Sequence, residues 1–358
     1  MARMLTSFRN LLVSGTCLAL AGCGTLYIAQ AAKGQLQILT AREPIKRVLA
    51  DPKADATLKR RLAAVRAARE FASSALALPN NKSYTSYADL KREFVVWSVV
   101  ATPEFSVEPR EWCFPIVGCV AYRGYFHQKS AEAFADSLRL GGFDTMVGGV
   151  PAYSTLGKFN DPILNTMMAY GDDELASIMF HELSHQLVYI PDDSSFNEAF
   201  AVTVEQEGLA RWLKFRGREA DLSKYLKRRA RQTEGVALVT RFRRELTQLY
   251  GTGIPPEAMR TRKAEVFSRL VKELRALDER FGTQSGLAAE LDGRPNNARL
   301  ASLATYYECV PGFERLLADE QHDLPRFYAA ARVLAKLPRD ERRARLCGVS
   351  GATSPPTR

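Results

Sequence analysis

Two of the four histidines in this chain of 358 residues stand four apart, in the stretch FHELSHQ from Phe180 to Gln186. Residues i and i+4 share a face only on a helix, so a working pair commits this stretch to helical structure. The flanks agree: Asp172 and Asp173 suit a helix N-terminus, and the helix must stop before Pro191. At about 100° per residue, Met179, Leu183 and Leu187 fall on one face, and His181 and His185 on the opposite one. An apolar back and an imidazole front is the layout of a metal-binding helix. Two imidazoles one turn apart aim at one ion, and Glu182, rotated by one position, reaches a water on that ion without being a ligand. Zn²⁺ would lower the pKa of that water, and Glu182 would take its proton during attack on a carbonyl. The plainer reading is two satisfied polar residues on an amphipathic helix.

A metal site needs a third ligand. The next helical segment, SSFNEAFAVTVEQEGLARWL, offers Glu198, Glu205 and Glu207, with Ser194 or Ser195 expected as its cap. Glu198 and Glu205 share a face but lie two turns, about 10 Å, apart, so only one of them can join the two histidines. The short loop from Ile190 to Ser194 folds this helix back antiparallel and brings its first turn near His185. That favours Glu198, with Glu205 as the alternative. Glu207 reads as a solvated surface charge. Asn197 reads either as a cap or as a group that orients the ligand.

HELSHQ followed by NEAFA resembles the gluzincin metallopeptidases, the aminopeptidase N-like family among them. In that family the Glu of Asn-Glu-x-Phe-Ala is the third zinc ligand, which implies His181, His185 and Glu198 around one Zn²⁺ per chain. The spacer between His185 and Glu198 is shorter here. The Gly-Ala-Met-Glu-Asn segment that helps hold a substrate's free amine in those enzymes is missing, and GGVPAYSTLG stands in its place. Four longer segments, LPNNKSYTSYADLKREFVVWSV, WCFPIVGCVAYRGYF, GGVPAYSTLGKFNDPIL and NNARLASLATYYECVPGF, resemble the predicted bacterial aminopeptidase family of envelope proteins. That resemblance implies a peptide substrate and one metallopeptidase domain over 23–347. A metallopeptidase also needs a donor for the developing oxyanion. Tyr153, in the Gly-rich strand, and Tyr306, in a late helical segment where gluzincin tyrosines often lie, are the candidates; each also reads as a core aromatic. His127 reads as structural.

The fold expected is α+β: a predominantly helical, zincin-like metallopeptidase with a small sheet between helical layers. Lys33 to Leu78 has helical spacing, with Pro44 and Pro52 at helix starts. Strands are expected in Arg92–Phe105, Val120–Phe126 and Thr145–Gly157, the last with Gly148 and Gly149 allowing a bulge or a close backbone approach. Helices follow almost to the end, and the tail 348–358 reads as disordered.

The N-terminus sets the compartment. Arg3 and Arg9 precede an apolar run from Leu11 to Ala21 that is short for a membrane span, which is the layout of an export signal over 1–22. Leu20-Ala21-Gly22-Cys23 resembles the lipobox of bacterial lipoproteins and implies acylation of Cys23. Gly24 follows it rather than Asp, which implies attachment to the outer membrane on its periplasmic face. Of the six cysteines, Cys113, Cys119, Cys309 and Cys347 lie beyond Cys23; an even number in an oxidising compartment suggests two disulfides. Cys113 and Cys119 flank a short turn-forming loop and form the first pair, which leaves Cys309 with Cys347. A formal charge of +10 can suit nucleic acid, but an exported protein rarely meets it, so no nucleic-acid partner is expected. Its basic excess lies mostly in Arg211–Gly235, read as a solvated helical face with contact to anionic lipid as the lesser reading. The competing function is a non-catalytic zinc-containing lipoprotein that binds envelope peptides, which a closed four-ligand site would favour.

Overall fold

Prolines and an acidic cap cut the first helical text into pieces. The structure, a computed structural model, describes residues 27–114, 118–152, 154–283, 287–291 and 295–347. The export signal, Cys23, Tyr153 and the tail from Gly348 therefore lie outside the described residues. Helix α1 covers 27–40, and strand β1 (Arg42–Pro44) leads through Pro44 as N-cap into α2 (Ile45–Ala50). Pro52 starts no helix. Asp55 caps α3 (Ala56–Ser74) instead, accepting from the Leu58 amide at 2.8 Å.

Strands β2 (Ser86–Ala88), β3 (Val96–Pro103), β4 (Trp112–Phe114), β5 (Gly118–Val120) and β6 (Arg123–Tyr125) follow. The strand expected over Val120–Phe126 is thus broken: β5 ends at Val120 and β6 begins at Arg123, because the two pair with different partners. Helix α4 (Gln128–Leu140), which the sequence reading passed over, precedes β7 (Phe143–Val150). The β3–β7 ladder runs in unbroken antiparallel register from Val96↔Val150 to Pro103↔Phe143, so Gly148 and Gly149 form no bulge. Close approach is the reason for Gly149: a Cβ there would run into the Phe94 ring.

Instead of one small sheet, the described residues form three, in the orders β1-β2-β8 (β8, Ile163–Leu164), β6-β3-β7 and β4-β5. The sheet β6-β3-β7 does lie between helical layers. Val99 and Ala101 pack with Ala131, Ala135 and Leu138 of α4, and the helix Asn297–Tyr307 contacts β3 and β7 as well. A 3-10 turn (Asn165–Ala169) then leads to the helical part: α5 (Asp172–Ser184), α6 (Ser194–Phe215), α7 (Glu219–Tyr250), α8 (Pro256–Arg280), α9 (Leu287–Leu291), α10 (Asn297–Tyr307), α11 (Val310–Asp319), α12 (Leu324–Ala335) and α13 (Arg339–Leu346). The class is α+β and mainly helical, as expected. No helix among the described residues is long and apolar enough to cross a membrane.

The main core gathers α3, α5, α6, α11 and α12 around Phe71, Met179, Phe180, Leu183, Phe200, Phe313 and Phe327. Each such side chain contributes about 1.5–3 kcal/mol on burial. Helices α7 and α8 pack antiparallel around a second core, with Phe242, Phe267 and Leu270 fully buried. In the basic stretch Arg211–Gly235, Lys214, Arg216, Lys224 and Lys227 are exposed, as a solvated face requires, while Arg211 pairs with Glu207, Arg218 with Asp173, Arg228 with Glu174 and Arg229 with Glu314. Glu207 is correspondingly no solvated charge, since Arg211 lies at 2.8 Å and His322 at 3.6 Å. Both disulfides are formed, Cys113–Cys119 across β4–β5 and Cys309–Cys347 between the start of α11 and the end of α13.

The return of α6 onto α5 is fixed at its turn. Asp193, rather than Ser194 or Ser195, caps α6, accepting from the Phe196 amide at 3.2 Å. Its second oxygen meets the Arg342 guanidinium of α13 at 2.7 Å, and both side chains are buried. Removing one member of such a pair leaves a buried charge uncompensated. Asp193→Ala is therefore expected to lower the unfolding free energy by about 3–5 kcal/mol in chemical denaturation at pH 7. Asp193→Ala/Arg342→Met, which removes both charges, should cost less than the single change.

Candidate active site

Helix α5 begins where the local chemistry says it should. Asp172, Asp173 and Glu174 occupy its first turn, where the helix dipole favours anions, and the Gly171 amide donates to Glu174 at 3.1 Å. Arg61 of α3 anchors this end, bonding Asp172 at 3.1 Å and the carbonyls of Met168 and Tyr170. The helix stops at Ser184, earlier than Pro191. His185 is its C-cap, but with φ −60° and ψ −20° it keeps helical geometry, so the one-turn relation to His181 survives. Met179 and Leu183 are fully buried on the back of the helix, and Leu187 packs partly buried against the same core.

The chain between α5 and α6 is clamped by Asn197. Its amide accepts from the Ile190 N–H at 2.8 Å and donates to the Ile190 carbonyl at 2.7 Å. Asn197 therefore neither caps α6 nor binds the Glu198 carboxylate. It closes the turn and so sets where Glu198 arrives.

Three donor atoms converge there. Nε2 of His181 and Nε2 of His185 are 3.2 Å apart, and Oε2 of Glu198 lies 3.3 Å from the first and 3.9 Å from the second. His181, His185 and Glu198 are the one group of His, Cys, Asp or Glu among the described residues with the spacing of a metal site. Four ligands about 2.0–2.1 Å from a tetrahedral Zn²⁺ would sit about 3.3 Å from one another, close to these separations. The donor set, two imidazole nitrogens and a carboxylate oxygen, also fits that ion.

Glu205 does not reach this cluster. It faces the opposite nitrogen of His181: Oε2 is 3.0 Å from Nδ1, and Oε1 accepts from Ser177 Oγ at 2.8 Å. An imidazole anchored through Nδ1 presents Nε2 forward, which is how an outer carboxylate orients a histidine ligand. Glu198 and Glu205, both candidates in sequence, thus divide the two nitrogens of one ring between them. Nδ1 of His185 is buried with no hydrogen-bond partner among the described residues.

Burial dominates the electrostatics. Glu182 is 9 % exposed, and desolvation pushes its pKa up to about 8, with the His181 charge opposing and Glu198, Asp161 and Glu205 adding to the rise. Burial pulls His185 down to about 4. Burial also opposes charge on His181, but its hydrogen bonds to Glu198 and Glu205 outweigh it and carry the pKa well above the usual histidine value. Burial disfavours charge on Glu198 too, yet its bond to His181 and the neighbouring His185 hold its pKa low.

Of the two tyrosines singled out in the sequence, Tyr306 on α10 is brought to the site: the Glu198 charge, then burial, keeps its hydroxyl well above the ordinary pKa. Tyr153 lies outside the described residues. His127 is exposed at the start of α4 and makes no cap with its side chain. The sequence reading missed Tyr122, between β5 and β6. Its pKa is raised by burial and then by Glu198, Tyr189 and Glu182. Only its place three residues after Cys119, in a loop that could fold back, hinted at this.

The family model described as "Putative aminopeptidase" matches residues 26–346 of the chain. No curated protein and no solved structure matches it significantly.

The split of the two histidines can be checked directly. In chelator-treated protein, an NMR titration of the imidazoles should show His185 neutral down to about pH 4 and His181 keeping its proton well above pH 6.5. Glu205→Gln should bring the His181 midpoint down. A common midpoint near 6.5 for both rings would contradict the buried arrangement.

Proposed function

The chain belongs to the "Putative aminopeptidase" family, which supports a peptidase in general, and from that premise we propose that it is a zinc-dependent peptidase of the bacterial envelope with a zincin-like site. The observation that carries this reading is the convergence of His181 Nε2, His185 Nε2 and Glu198 Oε2 at 3.2–3.9 Å, with Glu182 beside them. Those three residues would hold one Zn²⁺ per chain. Bound there, the ion supplies Lewis acidity, which polarises a peptide carbonyl and makes water a nucleophile near neutral pH.

The chain's own residues do the rest. Glu182 accepts the proton of the attacking water at its carboxylate and hands it to the departing amine, acting first as general base and then as general acid. Tyr306 keeps its hydroxyl protonated next to Glu198 and so can donate to the oxyanion that develops on the substrate. Glu205, with Ser177, fixes the ring of His181. Because Glu205 is engaged on Nδ1, the three-donor set leaves a position open, which favours catalysis over a closed structural site.

Location follows from Cys23. Its acylation would tether the protein to a membrane, with envelope peptides as the substrates.

Purified full-length protein should hold about one zinc per chain, and His181→Ala or Glu198→Ala should lose it. Glu182→Gln should keep the zinc while peptide hydrolysis falls by about 10²–10⁴-fold. A Glu182→Gln variant that cleaves as fast as wild type would remove the proposed base.

A further inference from the structure

We propose that the cavity enclosed by α5, α6, α7 and α8 is a binding site for a short peptide with both termini free, its ammonium taken by Asp278 and Gln206 and its carboxylate by Arg228. The proposal goes beyond the peptidase reading and needs no metal in the neighbouring cluster.

The cavity measures about 540 Å³, a volume within the range of small-molecule sites. It continues the helix faces that build the metal cluster. On α5, Glu174, Ser177 and Ile178 precede His181 at helical spacing, Ser177 by one turn or about 6 Å along the axis. On α6, Val202, Glu205 and Gln206 follow Glu198 at the same spacing. All six of these residues line the cavity. Glu205 joins the two places, lining the cavity while its Oε2 lies 3.0 Å from His181 Nδ1. Across from them, α7 brings Tyr225 and Arg228, and α8 brings Leu277 and Asp278.

The wall is formally neutral: Glu174, Glu205 and Asp278 face Arg228, Arg229 and Arg231. Some of these groups are already engaged. Glu205 is held by His181 and Ser177, Arg229 by Glu314 at 2.7 Å, and Glu174 accepts from the Gly171 amide. Three polar groups of the wall make no side-chain hydrogen bond of this kind among the described residues. Asp278 is 7 % exposed, and Arg231 stands 3.9 Å from it, beyond hydrogen-bond distance. Gln206 is 8 % exposed, and its Oε1 is buried without a partner. Arg228 is exposed, 3.7 Å from Glu174 and 5.7 Å from the centre of the Tyr225 ring.

These three groups set the chemistry of the ligand. Buried acceptors without donors are costly, and a ligand N–H relieves them. An ammonium carries three donors, enough for a carboxylate and an amide oxygen. A guanidinium that lacks a hydrogen-bonded partner takes a carboxylate, with two parallel bonds. A neutral wall disfavours a ligand of net charge, and a zwitterion has none. Because Asp278 and Gln206 are buried while Arg228 is exposed, the ammonium enters first and the carboxylate stays at the mouth. Ile178, Val202, Leu209 and Leu277 give the peptide's side chains an apolar surface. Short peptides with free termini are also what a peptidase releases.

The test measures binding of Leu-Leu, N-acetyl-Leu-Leu and Leu-Leu amide by calorimetry to full-length Glu182→Gln protein, with zinc and after chelator treatment. Leu-Leu should bind, and blocking either terminus should weaken it by about tenfold or more. Asp278→Asn should weaken Leu-Leu by about tenfold and erase its advantage over the N-acetyl form. Arg228→Gln should erase its advantage over the amide. Chelation should leave the Leu-Leu affinity within about twofold. Equal affinity for free and blocked dipeptides in the otherwise unaltered cavity overturns the proposal, as does the lack of saturable binding up to about 10 mM. Binding that disappears with the metal and survives Asp278→Asn belongs to the histidine cluster; it overturns the proposal and leaves the peptidase reading standing. Terminus-dependent binding to a protein that takes up no zinc and cleaves nothing upholds the cavity and removes the peptidase reading.

Discussion

The antiparallel return of α6 onto α5 is the constraint on which the rest of the structure depends. Neither helix carries a site alone: α5 brings two imidazoles and one carboxylate, and α6 brings the carboxylates on either side of His181. Their meeting is set by the few residues of the turn. Asn197 clips the Ile190 backbone, Asp193 caps α6 and pairs with buried Arg342, and Asp192 receives the disulfide hairpin. A displacement of about 1 Å in this turn would move Glu198 relative to both histidines, and catalytic geometry tolerates little of that. The buried Asp193–Arg342 pair and the Cys113–Cys119 hairpin both meet at this one corner.

Burying this many ionisable groups is costly unless they compensate one another. Here they are arranged in order of charge. Glu205 and Glu198 flank His181 on its two nitrogens and favour its cationic form, while His185 is held neutral. Glu182, one position around the helix, bears the desolvation cost as a raised pKa. The tyrosines stay protonated in the same negative field. A divalent cation at the convergence of the three donors would relieve most of this strain, because it supplies the positive charge that the cluster otherwise borrows from a protonated ring. The same logic explains a frame stapled by disulfides: the folded chain must keep this cluster together against its own repulsion.

Much of the site could be read from residue spacing. His181, Glu182 and His185 follow from an interval of four on a helix, and Glu198 from the short loop that forces an antiparallel return. The helix boundaries were less legible. α5 stops at Ser184 because the turn needs the residues up to Pro191, and Asp193 takes the cap from the serines because Arg342, 149 residues away, also holds it. The broken strand at Tyr122 was missed for a related reason. Local alternation in VAYRGYF suits a single strand, but β5 and β6 belong to different sheets.

What the sequence determined alone is the chemistry available at short range: two imidazoles and a carboxylate on one helix, a second acidic helix immediately after it, and cysteines spaced to pair. These are properties of helical periodicity and loop length, which depend only on neighbours along the chain. Tertiary structure alone decided which glutamate faces which nitrogen of His181, and that Tyr306, more than a hundred residues further along the chain, comes under the Glu198 charge. Those outcomes depend on which surfaces are buried against each other, a property of packing among distant residues that no local pattern encodes.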